Sequence, residues 1–382
     1  MLIDVLPDIL KLSVAIQQIP APTFFEEHRA EFIQKRFLEE KLVDVSIDDI
    51  GNVYGCYPGT GNMPPVVVSA HTDTVFPQST DLKVSYDDTR VFGPGIGDNS
   101  LGVAGLFGLI WCLKQRATGQ SGIRNQGCSD LPGDVWIVAN VGEEGLGDLR
   151  GMRAVVDRFG SSPIAYIVLE GMALGQVYHR GLGVRRYRIT ARTLGGHSWV
   201  DYGRPSAIHE LASLIEKLIS IPIPEKPRTT LNVGIIHGGT SVNTIAPEAS
   251  IELDLRSEST QTLSMLISRV EMLVNESNRS EVDISLDVIG DRPVGEISPD
   301  HPLIRLVKHS LEEVGIEPCL NIGSTDANIP LSRGLPAVCL GLTTGGGAHT
   351  ANEYIRIKPL EQGIRQLISV VEGCLVTSSP VS

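Results

Sequence analysis

The stretch VWIVANVGEEGLGD, residues 135–148, passes from an apolar run directly into two adjacent glutamates, Glu143 and Glu144. The apolar run is typical of a buried strand. In chain order, strands are predicted at PPVVVSA (64–70), DVWIVANV (134–141) and PIAYIVL (163–169). Between the strands at 64–70 and 134–141, LGVAGLFGLIWCLKQ (101–115) reads as an apolar helix. This alternation predicts an α/β fold with a mixed, mostly parallel sheet flanked by helices. The polar, Gly-rich segment over 115–134 is predicted to be a surface loop.

The pattern changes near residue 183. The order from there is strand (VRRYRITAR), helix (PSAIHELASLIEKLI), strand (LNVGIIHG), strand (ASIELDLRS), helix (about 260–274) and strand (EVDISLDVI). That order is the split, ferredoxin-like α+β unit. From about residue 297 the first pattern resumes, with a strand at PAVCLGL and a closing helix over 359–375. We therefore expect one domain formed by 1–180 and 297–382, interrupted by an inserted domain over 181–296.

Composition and charge exclude several classes of protein. The 382 residues carry a net charge of −13 and no Lys/Arg run, so nucleic acid is not an expected partner. No run of 18 apolar residues is present, and the N-terminal stretch lacks a basic start followed by an apolar block. We expect a cytoplasmic protein without a membrane partner. The six cysteines are far apart and form no CxxC pair, which argues against a disulfide framework or a thiolate zinc site.

Ionisable residues follow the predicted strands at the points where those strands end. These residues are His71 and Asp73, Glu143 and Glu144, Glu170, and His349, with Asp98 on a Gly-rich turn before the apolar helix. Each one alone is as easily a turn, cap or surface residue. Together they converge on the sheet edge where α/β proteins bind ligands, and so many carboxylates would repel unless cations lay among them. Residues two apart on a strand face one side, so Asp73 can orient His71.

Nitrogen and oxygen ligands without sulfur suit zinc, and cobalt or manganese is chemically tolerable. A carboxylate shared between two ions suits a dinuclear site with metals about 3.5–4 Å apart. The sequence therefore predicts two divalent metal ions at this edge.

Five ordered motifs carry a resemblance to a known family. VVVSAHTDTVFP, GPGIGDNSLGVAG, GEEG, VLEG and AHTANEY, with an insertion between the fourth and fifth, resemble the dinuclear zinc peptidases and deacylases. That family includes glutamate carboxypeptidase, tripeptidase (peptidase T), acetylornithine deacetylase and succinyl-diaminopimelate desuccinylase. The resemblance covers nearly the whole chain. It departs at Asn99-Ser100, where many relatives have Met-Lys or Asp-Lys, and its motifs mix carboxypeptidase and deacylase features with tripeptidase features.

The resemblance implies a role for each motif residue. It makes His71, Asp98 and Glu170 the ligands of one metal and Asp98, Glu144 and His349 those of the other. Glu143 then matches the general base and Asp73 the residue that orients His71. The inserted domain looks like a lid and dimerisation domain, which implies a homodimer. In it, His197 would reach an active site, commonly the neighbouring subunit's.

Softer matches implied by the same resemblance place Asn243, Arg256 and Thr325 at the substrate. Each has an ordinary alternative: Asn243 as a turn residue, Thr325 as a helix cap, and Arg256 as the partner of a surface acid.

The expected chemistry follows from such a site. Two cations lower the pKa of a bridging water from about 15.7 towards 7, and Glu143 would move the remaining proton as the hydroxide attacks an amide. We expect a metal-dependent exopeptidase of the carboxypeptidase or tripeptidase type, or an N-acyl-amino-acid deacylase. The alternative is a catalytically silent relative that binds small metabolites or assembles through its inserted domain. The scissile bond's flanking groups stay open at this point.

Overall fold

A computed structural model of the protein describes residues 2–120 and 131–376. The chain divides into two compact units, the first formed by Met1–Gly181 with Gly295–Ser382 and the second by Leu182–Val294. Nine helices lie in the described ranges: α1 (Leu2–Gln17), α2 (Glu27–Glu39), α3 (Leu101–Gln120), α4 (Arg150–Phe159), α5 (Ala207–Ile219), α6 (Thr260–Ser277), α7 (Pro302–Glu313), α8 (Asn328–Ser332) and α9 (Leu360–Val376).

The same ranges contain nineteen strands. They are β1 (Val43–Ile47), β2 (Val53–Tyr57), β3 (Met63–His71), β4 (Ser85–Tyr86), β5 (Arg90–Phe92), β6 (Gly133–Asn140), β7 (Ala165–Glu170), β8 (Gln176–Gly181), β9 (Gly183–Thr193), β10 (Gly196–His197), β11 (Thr229–Gly238), β12 (Thr244–Ile245), β13 (Glu248–Ser257), β14 (Val282–Arg292), β15 (Gly295–Glu296), β16 (Cys319–Gly323), β17 (Ala337–Gly341), β18 (Gly345–Gly346) and β19 (Tyr354–Arg356).

The first unit is built on a mixed sheet in the order β1-β2-β6-β3-β7-β17-β8-β15, with β16 beside β8. The central strands β6, β3, β7 and β17 are parallel, whereas β2 on one side and β8 on the other join them antiparallel. The α/β prediction is confirmed. Because the four central strands run the same way, the residues that follow β3, β6 and β7 meet at one edge of the sheet.

Helix α3 is the central helix of this unit's core. Its apolar positions are occupied all round, which is the pattern of a helix covered on every side. The stretch Ile96–Arg116 is long and apolar enough to cross a membrane by length and composition, but nearly all of it is buried inside the protein. The helix instead packs against α1, β3 and α9, so we read it as a core element.

The sequence interpretation is wrong at the end of this helix. We expected a loop from residue 115, but α3 continues to Gln120. Polar residues and a glycine near a helix end weaken the apolar pattern without removing helix propensity. Of the rest of the predicted loop, 121–130 lie outside the described residues, and Gly133 and Asp134 already belong to β6. A small antiparallel sheet, β18-β19-β5-β4, was also not predicted, because strands of two or three residues carry too little periodicity.

The second unit has the predicted strand–helix–strand–strand–helix–strand order. Its main sheet runs β11-β13-β9-β14, with every neighbouring pair antiparallel. Alternate residues of β13 are buried, and α5 and α6 pack against the sheet to form a separate apolar core. A two-stranded ribbon of β10 and β12 pairs Gly196 with Ile245 and His197 with Thr244.

The described cysteines are free thiols. Cys56, Cys112, Cys339 and Cys374 are buried, Cys319 is exposed, and Cys128 lies outside the described residues.

Candidate metal centre

Two histidines and three carboxylates meet at the carboxyl edge of the central strands. His71 is the last residue of β3, Glu170 is the last residue of β7, and Asp98 lies on an irregular helical turn, Ile96–Ser100, that leads into α3. The His71 Nε2 atom is 3.2 Å from Asp98 Oδ1 and 3.8 Å from Glu170 Oε2. The structure thus brings together the three residues assigned to one metal.

The other predicted ligand set shares Asp98. His349 Nε2 is 3.0 Å from Asp98 Oδ2 and 3.1 Å from Glu144 Oε1. Asp98 therefore presents one carboxylate oxygen to each histidine. His349 adopts a positive φ of 63°, which turns the chain after β18 so that the imidazole reaches this edge. A carboxylate in this position has the geometry of a ligand shared by two sites.

Asp73 holds the first histidine and the glutamate pair together. It is fully buried. Its Oδ1 atom lies 3.4 Å from His71 Nδ1 and accepts the backbone N–H of Glu143 at 2.9 Å. Its Oδ2 atom accepts the N–H of Glu144 at 2.9 Å and the hydroxyl of Thr23 at 2.8 Å. The His71 Nδ1 atom also lies 3.2 Å from the Asp73 carbonyl oxygen. One carboxylate thereby fixes both the imidazole and the start of the GEEG segment.

Electrostatics explain how this crowding of charge is arranged. Burial would raise the pKa of Asp98, but hydrogen bonds to His349 and His71 outweigh it and lower that pKa. Burial raises the pKa of Glu144 to about 7 and that of Glu170 to about 7, and repulsion from Asp98 and Glu143 adds to both shifts. Burial and mutual repulsion thus both oppose ionisation of Glu144 and Glu170.

The imidazoles respond in the opposite direction. Hydrogen bonds to Asp98 and Glu144 raise the pKa of His349 to about 10. For His71, burial lowers the pKa, but hydrogen bonds to Asp73, Asp98 and Glu170 raise it well above the usual value. The surrounding carboxylates thus favour the protonated form of both imidazole rings.

Glu143 is buried beside this cluster, in the segment that follows β6. Its charge raises the pKa of Glu144, Glu170 and also Asp326. Asp326 is fully buried, its Oδ2 atom accepts a hydrogen bond from Asn140 Nδ2 at 2.7 Å, and burial raises its pKa to about 8. The sequence interpretation missed Asp326 and Asn140, although both lie in motifs already marked by Thr325 and by the end of β6.

Two other residues that the sequence interpretation missed hydrogen-bond the backbone of the segment that carries His71 and Asp73. Arg29 on α2 is buried and donates to the carbonyl oxygen of Thr72 at 2.6 Å, between His71 and Asp73. Thr23 precedes that helix, and its backbone N–H bonds the Thr74 carbonyl oxygen at 3.3 Å. Both lie more than 40 residues from the motif that they support, so no local pattern identifies them.

The softer assignments lie in two places. Thr325 is in the first unit, where its hydroxyl accepts from the Ala327 N–H at 3.3 Å, a local contact just before α8. His197, Asn243 and Arg256 belong to the second unit. There the Asn243 carbonyl oxygen accepts the N–H of Ser198 at 3.0 Å, next to the exposed His197, and Arg256 pairs with Asp254 at 2.7 Å. Their roles toward a substrate stay predictions.

The donor set fits divalent cations. His71, Asp98 and Glu144 each offer a ligand atom, and these atoms all lie within 4.8 Å of one another. Imidazole nitrogen and carboxylate oxygen are the ligands of catalytic zinc, and His71 has the carboxylate partner on its second nitrogen that zinc-binding histidines usually have. Asp98 faces both histidines, with Glu170 near His71 and Glu144 near His349.

Comparison with known proteins agrees with this geometry. The family model described as Peptidase family M20/M25/M40 matches residues 67–373. The protein YqjE of Bacillus subtilis is 22% identical over 95% of this chain and 97% of its own length, and an acetylornithine deacetylase of Klebsiella pneumoniae is 25% identical over 79% of each chain. Among solved structures, the aminopeptidase PepT of Bacillus cereus superposes with a TM-score of 0.75 at 22% identity, covering 97% of this chain and 98% of that one. The chain belongs to Peptidase family M20/M25/M40.

Proposed function

We propose that this member of the family hydrolyses an amide bond in a small peptide or an N-acylated amino acid, using two divalent metal ions. The observation that supports this most directly is Glu143, a buried carboxylate whose charge acts on both Glu144 and Glu170. In this proposal it acts beside both ligand sets and binds neither metal. That is the position required of a group that moves protons for the reaction.

His71, Asp98 and Glu170 would hold one ion, and Asp98, Glu144 and His349 the other. Bound there, the ions would supply an acidified water and polarise the amide carbonyl. Glu143 takes the proton of the attacking water and delivers it to the departing amine, which is the part of the reaction that a positioned carboxylate performs. Asp73 keeps the His71 ring in one orientation and fixes the backbone N–H groups of Glu143 and Glu144.

The relatives support this substrate class. One similar structure is called an aminopeptidase and one similar sequence an acetylornithine deacetylase. Both names describe hydrolysis of an amide bond. Arg256 and Asn243 fit a substrate with a carboxylate, because a guanidinium binds carboxylates bidentately. In this proposal Arg256 exchanges Asp254 for the substrate, and His197 stabilises the oxyanion, in the same subunit or across a homodimer.

The division of labour between the two glutamates provides the test. Glu143→Gln is expected to retain metal and to lose turnover by at least ~100-fold, the lower range for loss of a general base. Glu144→Gln is the matched control, since it makes the same change one residue away and is expected to lower metal content. Metal per subunit is measured by elemental analysis, and turnover on a panel of dipeptides, tripeptides and N-acyl amino acids with and without chelator. Full activity of Glu143→Gln would contradict the assignment.

Two further outcomes bear on the alternatives. Protein with two metals bound that hydrolyses no member of the panel would favour a silent relative that binds metabolites. If His197 acts across subunits, dilution below the dimer dissociation constant reduces the specific activity. Unchanged turnover in a proven monomer would exclude that role in trans.

A further inference from the structure

The turn that carries Asp98 is irregular, so contacts from outside must define its shape. Asp98 has φ −116° and ψ 87°, and Asn99 has φ −132° and ψ 36°, both outside helical values. Asp98 nevertheless has to face His71 on one side and His349 on the other within 3.2 Å. A displacement of this turn would change both ligand sets at once.

Glu353, in the segment that carries His349, hydrogen-bonds the backbone of the turn. It is fully buried, four residues after that histidine, and its carboxylate accepts three backbone N–H groups of the turn. Oε2 accepts from Gly95 at 3.0 Å, and Oε1 accepts from Gly97 at 2.7 Å and from Asp98 at 2.8 Å. The carbonyl oxygen of Glu353 accepts a fourth N–H, that of Gly93, at 2.9 Å. The segments carrying Asp98 and His349 are therefore tied by one side chain.

Asn99 grips the same turn from the side of Glu170. Its Nδ2 atom donates to the Leu169 carbonyl oxygen at 2.8 Å, and its Oδ1 atom accepts the Gly171 N–H at 3.0 Å. Leu169 and Gly171 are the two residues that flank Glu170. The side chain is buried, and a Cβ atom on Gly102 would stand 1.9 Å from its Oδ1, so the space is shaped for this amide.

We propose that Glu353 and Asn99 are positioning residues that hold Asp98 between His349 and Glu170 and thereby set the affinity of both metal sites. The inference rests on the proposed function only in taking these residues as metal ligands. It also gives Asn99, which departs from the Met or Asp of many relatives, a role in the geometry of the centre. Residues that support metal ligands typically contribute 10–100-fold to metal affinity.

Glu353→Gln replaces one acceptor oxygen by an amide that faces backbone N–H groups, so at least one of the three bonds is lost. Asn99→Ala removes both bonds beside Glu170. Zinc is titrated calorimetrically into chelator-treated protein, and both variants are expected to bind it 10–100-fold more weakly than the parent. Cobalt(II) absorption spectra of the same variants should show an altered coordination environment. Neither readout depends on catalytic activity.

Two matched controls separate positioning from general destabilisation. Glu40→Gln makes the same change where the carboxylate binds the Trp111 Nε1–H at 2.8 Å, about 15 Å along α3 from Leu101 at 1.5 Å per residue. Asn321→Ala, on β16, removes an amide of the same kind. Its Nδ2 atom donates to Gln176 Oε1 at 2.9 Å, and its Oδ1 atom accepts the Ile322 N–H at 2.8 Å. Both controls are expected to bind zinc as the parent does. If Glu353→Gln does not fold, Asn99→Ala decides the question.

The inference is overturned if Glu353→Gln and Asn99→Ala bind zinc with parental affinity and stoichiometry, if the controls lose affinity to the same extent, or if the parent binds no divalent cation. A parent that binds zinc but hydrolyses no amide would contradict the proposed function instead. In that case weaker zinc binding by the two variants would still support the positioning role.

Discussion

Asp73→Asn should be among the most damaging isosteric changes in the first unit. The carboxylate accepts the N–H groups of Glu143 and Glu144 and the hydroxyl of Thr23, all within 2.9 Å, and it is fully buried. An asparagine keeps one acceptor oxygen, so one backbone N–H is left facing an NH2 group. Losing one bond to a charged acceptor costs about 1.5–3 kcal/mol, and leaving the buried donor unsatisfied adds about 1–3 kcal/mol. We expect a loss of about 3–5 kcal/mol in the free energy of unfolding.

Thr23→Val isolates a single bond to the same carboxylate. Valine has the shape of threonine, and Asp73 Oδ2 still accepts the Glu144 N–H. We expect this variant to lose about 1–2 kcal/mol. Both variants are made in a Trp199→Phe background, because Trp111 and Trp136 then report fluorescence from the first unit alone. Urea unfolding of the metal-free proteins gives the two free energies. If Asp73→Asn costs no more than Thr23→Val, the reasoning about backbone donors is refuted.

Three further predictions use other parts of the first unit. Folded Asp326 keeps its proton up to about pH 8 whereas the unfolded chain releases it near 3.8, so this group lowers stability as pH rises across that window. Asp326→Asn should therefore gain at least about 1 kcal/mol over the parent between pH 5 and pH 8 in urea titrations of the metal-free protein, and an equal difference at both pH values would contradict this. Gly341→Ala should lose about 3 kcal/mol or more in the same assay, because the added Cβ would lie 1.8 Å from the Ala173 carbonyl carbon. Zinc at 100 times its dissociation constant should stabilise the parent by about 2.7 kcal/mol in calorimetric scans, and no shift after chelation would argue against a native metal site.

The sequence predicts the parts of the centre that follow from local patterns. Apolar runs locate β3, β6 and β7, and His71, Glu143 and Glu170 lie at or just past the carboxyl ends of these strands. Once the strands are known to be parallel, those ends are expected to meet at one edge of the sheet. Asp73 is marked by its spacing two residues after His71, although β3 ends at His71. These inferences need only the order of residues within a few positions.

The supporting residues could not be predicted in the same way. Glu353 and Asn99 act through backbone N–H and carbonyl groups that belong to every residue, so their sequence shows no preferred partner. For Asp326, only its full burial beside Asn140 reveals a carboxyl group kept from water. For Arg256, the sequence left open two roles, substrate contact or pairing with an acid. The structure shows the second contact, an ion pair with Asp254.

The position of the second unit along the chain has a consequence for how such proteins can vary. It leaves the main sheet after Gly181 and returns at Gly295, and these two residues are partners in the antiparallel pairing of β8 with β15. Residues 182–294 thus form the connection of a β-hairpin in the main sheet. Each doubling of the length of such a connection adds only about 0.6 kcal/mol to the entropic cost of closing it. A chain in which a two-residue Asn-Gly turn joins Gly181 to Gly295 should preserve the register of β8 and β15. The connection between β8 and β15 would then accept inserted segments of different length without a change in the main sheet.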